Sequence, residues 1–188
     1  MNKIVRTHDK FYLKENRYKK TKQLFKDVIE MIKKVAITDT QMIISDHGCA
    51  AGEFPYALRD EFPTAKIEGY DLLENLIEKA RLEVPDADFF VGSITDQSLC
   101  EKNHSNVTLC IGVLSIFDTF EPIISNLLHW TKPGGHVFLH GLFNEYPIDV
   151  NIKYNLSANY GNSELEAGWN FFSKKSVARW LGAQSEVA

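Results

Sequence analysis

Cysteine is scarce in this chain: Cys49, Cys100 and Cys110 are the three among 188 residues, and no CxxC pair occurs. That argues against a disulfide framework and against a structural zinc site. An odd count without a secretory leader fits a reducing compartment. Basic charge is not in excess either, with 21 Lys and Arg against 25 Asp and Glu and a net charge of -4. A broad cationic face for gripping nucleic-acid phosphates is therefore not expected. No apolar run reaches membrane-spanning length, and the opening MNKIVRTHDKFYLKENRYKK is too charged for a signal peptide. No metal-ligand constellation is apparent. The absences together describe a soluble, cytoplasmic protein without a nucleic-acid or membrane partner.

What is present suits one domain with a sizeable core, since 44% of the residues are hydrophobic. A local basic run, Lys19, Lys20, Lys22 and Lys26, reads as the solvated face of a helix over residues 20–34. Its neighbours Leu24, Phe25, Val28, Ile29 and Ile32 recur at helical spacing. Residues 36–40 connect it onward. Apolar runs then alternate with helical patterns. Strands are expected at 42–46 (MIISD), 66–71 (KIEGYD), 88–91, 107–111 (VTLCI) and 136–140 (HVFLH). Helices are expected at 53–61, 73–82, 97–102 (short) and 121–130, with Asp118 as N-cap of the last. Lys132-Pro133-Gly134-Gly135 reads as a turn. Residues 144–162 have no clean period and read as a loop region, followed by a helix at 172–181 with Ser173 as N-cap.

Such alternation implies βαβ units and an α/β, doubly wound, mainly parallel sheet covered on both faces. Where the first strand ends, Ser45-Asp46-His47-Gly48-Cys49-Ala50-Ala51-Gly52-Glu53-Phe54 is rich in small residues. Small residues let a ligand approach the backbone, and the helix that follows offers free N–H groups. Nineteen residues past Gly52, Asp71 ends the second strand beside that loop. A carboxylate there can accept both hydroxyls of a ribose. Each feature has a plainer reading, a tight turn for the loop and a helix N-cap for Asp71. In order, they favour a nucleoside-type ligand.

SDHGCAAGEF resembles the first motif of class I S-adenosylmethionine-dependent methyltransferases, commonly LDIGCGTGEF. Glu68-Gly69-Tyr70-Asp71 is similar to their acidic second motif, Val91-Gly92-Ser93-Ile94-Thr95-Asp96 to the third, and Cys110-Ile111-Gly112-Val113-Leu114 to the fourth. Lys132-Pro133-Gly134-Gly135-His136-Val137 is similar to the turn entering the fifth strand. The resemblance covers roughly residues 41–140, five motifs in order. It implies a Rossmann-like sheet of order 3-2-1-4-5 and S-adenosyl-L-methionine as cofactor, with S-adenosylhomocysteine as product. By the same resemblance Asp46 would sit near the methionine amino group, and Gly48, Cys49 and Ala50 would line methionine and ribose, with Gly52 of the same loop also binding the cofactor. Asp71 would bind the ribose, Leu72, Ser93 and Ile94 the adenine, and Ile111 and Gly112 the methionine and sulfonium. Two residues depart from the pattern: Ala50 stands where the family has Gly, and His47 replaces an apolar residue.

On the acceptor side, His140 ends the fifth strand and is a candidate base or hydrogen-bonding group, beside the plainer reading of a structural histidine. His104 and His129 read as surface and helix residues. Tyr12 and Tyr18 before the first helix, and Tyr146 and Trp169 after the fifth strand, are lid candidates. No Asn-Pro-Pro-Tyr-like motif points to amino methylation of DNA bases. By family analogy the acceptor is a small molecule methylated on oxygen. A non-catalytic or regulatory domain that binds S-adenosylmethionine stays open, and a nicotinamide dinucleotide fits the glycine spacing less well. The expected division is a lid segment at 1–40, a cofactor-binding core at 41–141 and a substrate-side loop and helix at 142–188. The terminal strand hairpin of the family is expected to be missing, which would leave the fifth strand as an open edge and a route to a homodimer.

Overall fold

The computed structural model describes residues 11–35, 42–155 and 165–184. The expected connector at 36–40 lies outside these, as do residues 1–10 of the expected lid segment and residues 156–162 of the expected loop region. Thirteen residues, Gln23–Val35, form helix α1, whose buried stripe is Val28, Ile29 and Ile32. Burying each such side chain contributes about 1.5–3 kcal/mol. Lys33 and Lys34 fall in its last turn, where they complement the helix dipole.

Strands and helices then alternate: β1 (Ile43–His47), α2 (Glu53–Glu61), β2 (Lys66–Asp71), α3 (Glu74–Glu83), β3 (Asp88–Val91), β4 (Ser105–Ile111), α4 (Glu121–Trp130) and β5 (Thr131–His140). The five strands are parallel and ordered β3-β2-β1-β4-β5. Alternation along each strand sends successive side chains to opposite faces. In β4, Val107 and Leu109 pack with α1 and α2, whereas Cys110 packs with α4. In β1, Ile44 joins the first cluster, and His47 stacks on Trp130 of α4. Both faces are covered, as a parallel sheet requires.

The expected short helix at 97–102 is a three-residue 3-10 turn, Gln97–Leu99, capped by Asp96 accepting from the Ser98 N–H. The KPGG segment is both turn and strand. Pairing with β4 jumps from Ser105–Thr131 to Val107–His136, so residues 132–135 arch out of the ladder, with Gly134 at φ 75°. Asp118 does not cap α4. The N-cap position is Phe120, and Asp118 is instead bound by Lys153 at 2.6 Å.

Beyond β5 the expected loop region contains ordered pairs. β6 (Leu142–Asn144) runs parallel to β9 (Phe171–Ser173), and β7 (Lys153–Tyr154) antiparallel to β8 (Glu166–Ala167). A Val150–Phe171 bridge and the Gly168 N–H to Ile152 carbonyl bond extend the latter pair into a hairpin. Helix α5 (Lys174–Gly182) starts at Ser173, whose hydroxyl accepts from the Lys175 N–H. Among the described residues the main sheet has five strands, and the outer side of β5 carries no further strand. No helix of the described residues is long and apolar enough to cross a membrane.

Candidate functional site

Strand order reverses between β1 and β4, which lie side by side at the centre of the sheet. Connections from β1 and β4 leave in opposite directions there, opening a crevice at the carboxyl ends of the strands. The loop after β1 bends over the end of β2, because the N–H groups of Gly48 and Cys49 both donate to the Tyr70 carbonyl, at 2.7 and 3.0 Å. Gly48 has φ +89°, and a Cβ there would lie 2.1 Å from Val113 Cγ2. The close approach of the two loops thus requires glycine at 48.

Ala50 adopts φ 49°, a left-handed conformation that costs a non-glycine residue roughly 1–2 kcal/mol. Its N–H donates to Asp71 Oδ2 at 2.9 Å, and the Leu73 N–H donates to Oδ1 at 2.9 Å. Asp71 is therefore aimed by two backbone groups, one from the loop and one from the start of α3. The Ala50→Gly variant should be more stable, by up to about 1 kcal/mol once the extra freedom of unfolded glycine is subtracted. Thermal unfolding checks this; a lower midpoint would mean that the Ala50 methyl contributes more by packing than the backbone loses.

Asp46 is 3% exposed, and burial, reinforced by the charge of Asp71, pushes its carboxyl up to about 8. His47, on the other face of β1, is fully buried between the rings of Tyr70 and Trp130, with centroids 4.7 and 4.4 Å away. Its Nε2 pairs with Ser45 Oγ at 3.2 Å, and burial lowers it to about 3. The histidine is neutral and structural. Because its folded pKa lies below the unfolded value of about 6.5, the unfolded chain binds the extra proton between those two values. The stability advantage of wild type over His47→Phe should then shrink by at most about 1.4 kcal/mol per pH unit below 6.5. Melting curves from pH 7 to 4 read this, and parallel curves would refute it. Raised Asp46 has the opposite slope, but it is common to both proteins.

Glu68 lies behind the same stack and is 1% exposed. Burial would raise its carboxyl, but hydrogen bonds from Lys66, His104 and Tyr70 outweigh that and hold it below the usual range. His104 is thus a partner of a buried carboxylate, at 2.7 Å, rather than a plain surface residue.

A cavity of ≈ 820 Å³ opens over these loops, within the range of about 300–1,000 Å³ usual for small-molecule sites. Asp46, Gly48, Cys49 and Ala50 line it from β1 and its loop, and Asp71 and Leu72 from the end of β2. Ser93 and Ile94 enter after β3, Ile111 and Gly112 at the end of β4, and His140 at the end of β5. The Gly112 N–H donates to the His140 carbonyl at 2.9 Å. His140 Nδ1 is buried with no hydrogen-bond partner among the described residues. Of the lid candidates Tyr12 lines the cavity, and Tyr18, Tyr146 and Trp169 do not. Tyr18 is 5% exposed and donates its hydroxyl to the Ala51 carbonyl at 2.8 Å, bracing the loop from behind. Tyr146 is 72% exposed, away from the cavity. Gly52 does not line the cavity either; it sits at φ 84° as the left-handed N-cap of α2.

Four charged lining residues had no signal in the sequence. Lys22, expected on a solvated helix face, precedes α1 and bridges Glu15 and Glu53, at 3.1 Å each. Asp118 and Lys153 pair with each other, and Glu15 lines the cavity beside Lys22.

Residues 17–184 match the family described as Methyltransferase domain. Among solved structures, Streptomyces venezuelae DesVI aligns with a TM-score of 0.63 at 16% identity, over 94% of this chain and 87% of its own. A Haloferax volcanii chain solved in complex with the Trm112 methyltransferase activator gives 0.61 at 17% identity, over 75% of this chain and 63% of its own. A Methanococcus maripaludis chain described as S-adenosyl-L-methionine-dependent gives 0.57 at 18%, over 73% and 65%. This chain spans between about half and two thirds of the length of several such relatives. At these identities the likeness concerns the fold, but the family match covers nearly the whole chain. The protein belongs to the methyltransferase domain family.

Proposed function

We propose that this chain transfers a methyl group from S-adenosylmethionine to a hydroxyl oxygen of a small-molecule acceptor. The observation that carries this reading is the shared cavity, which joins the loop after β1, Asp71 and Ser93–Ile94 to His140. The residues fit the cofactor. Asp46 is a buried acid whose raised pKa calls for a cationic neighbour, such as an amino group, to ionise it. Asp71, already aimed by two N–H groups, suits the ribose hydroxyls. Leu72, Ser93 and Ile94 would hold the adenine, backbone at Gly48, Cys49 and Ala50 the ribose and methionine, and Ile111 and Gly112 the sulfonium side.

When bound, the cofactor supplies a methyl group already activated on a sulfonium, and S-adenosylhomocysteine remains as product. The chain then has to align the acceptor and take up its proton. Alignment alone is worth several kcal/mol, of the order of effective-molarity effects. His140 offers the proton site, since its side chain lines the cavity at the end of β5. Apolar neighbours Ile111, Val113, Ile116 and Phe117 keep water from competing as nucleophile.

Calorimetric titration with S-adenosylmethionine, S-adenosylhomocysteine and NAD tests the cofactor, and label transfer to a panel of hydroxy compounds tests the reaction. Binding of NAD alone would overturn the reading. Methyl-donor binding with no transfer over a broad panel would favour a non-catalytic domain. The open outer edge of β5 is also suited to pair with a second copy of the chain; sedimentation reads that independently.

A further inference from the structure

The cavity is bounded in part by the β7–β8 hairpin, through Lys153 and Ala167, and by Asp118 from the loop after β4. Lys153 Nζ donates to both oxygens of Asp118, at 2.6 and 2.7 Å. Behind the pair sits Asn170, fully buried. Its amide donates to the Phe117 carbonyl at 2.7 Å and to Asp118 Oδ1 at 3.2 Å, and its Oδ1 accepts from the Ile152 N–H at 2.7 Å. One side chain therefore fixes both the acid and the hairpin that carries the lysine.

The valences of this pair are not balanced. Asp118 already accepts three hydrogen bonds, most of the roughly four lone-pair positions a carboxylate has. Lys153 spends two donors on Asp118, and its third has no partner among the described residues. Lys22, which also lines the cavity, is different, because two carboxylates surround it and an incoming anion would meet net negative charge. Both members of the Asp118–Lys153 pair are partly exposed, so the bond between them adds little stability that a ligand would have to replace.

We propose that Lys153 anchors a carboxylate on the acceptor, making the acceptor class a hydroxylated organic acid. Asp118 and Asn170 act as positioning residues that hold the ammonium at the cavity wall. The word acceptor rests on the methyltransferase reading; the carboxylate preference does not.

The test uses phenylacetate and its neutral counterpart phenylacetamide as probes, titrated by NMR into the full chain saturated with S-adenosylhomocysteine. Wild type should bind phenylacetate about tenfold more tightly than the amide, the scale of one charge-assisted hydrogen bond. Lys153→Met should bring the two probes to near parity while leaving affinity for S-adenosylhomocysteine unchanged, and Lys153→Arg should restore the preference. No preference in wild type, including no binding of either probe, would overturn the proposal. So would a preference that survives in Lys153→Met. If S-adenosylhomocysteine itself fails to bind, the methyltransferase reading fails, and the same titration on the cofactor-free protein still decides the role of Lys153.

Discussion

The Asp71→Ala variant should bind S-adenosylhomocysteine at least ~100-fold more weakly than wild type, because two charge-assisted hydrogen bonds are worth about 1.5–3 kcal/mol each. Two effects combine. The carboxylate that suits the ribose hydroxyls disappears, and so does the acceptor for the Ala50 N–H. Ala50 is then left in its left-handed conformation without the bond that holds it there. Asp71→Asn separates the two, since its carbonyl oxygen can still accept from Ala50 while the charge is gone. Its one carbonyl oxygen cannot also accept from the Leu73 N–H, so that variant should melt between Asp71→Ala and wild type and lose about tenfold in affinity, the scale of one charge-assisted bond. Calorimetry and thermal unfolding on both variants decide the matter. Unchanged affinity in Asp71→Ala would refute the ribose role.

His140→Gln should lower kcat by about 10²–10³-fold on a hydroxyl acceptor, the usual contribution of a positioned base. Cofactor affinity should stay within error, since the side chain enters the cavity from β5 and not from the loops after β1 and β2. The basis is geometric. The ring lines the cavity at the end of β5, where an acceptor hydroxyl would give up its proton as the oxygen bonds to the methyl. A loss in kcat below about threefold would reduce His140 to a strand-end residue.

The order β3-β2-β1-β4-β5 was legible because its strands are short apolar runs set between helical patterns, and α2 and α4 begin and end where their sequence periods do. That most of the expected cofactor residues line one cavity has a related reason. Those residues come from consecutive strand ends, so position along the chain translates directly into position around the cavity. The wall proposed for the acceptor obeys no such rule. Asp118 and Lys153 are 35 residues apart and meet only through a hairpin whose pairing has no distinct period. Tyr18 illustrates the opposite error. An aromatic ahead of the first helix can as well brace a loop from behind as cover a ligand, and only the Ala51 carbonyl distinguishes the two. Lys22 belonged to a run of lysines that spacing alone assigns to solvent, whereas its partners Glu15 and Glu53 come from either side of α1.

Asn170 has a consequence for how such a protein can diversify. The wall proposed for the acceptor is fastened beside the sheet largely by one amide and by main-chain atoms: the Ile152 N–H, the Phe117 carbonyl, and the Asn170 N–H to the Ser115 carbonyl at 2.6 Å. Main-chain partners are indifferent to the side chains they belong to. The hairpin can therefore accumulate substitutions, and so reshape its side of the cavity, while the lining residues of the loops after β1 and β2 stay as they are. Drift on one side of the crevice need not be compensated on the other, provided that the asparagine is kept.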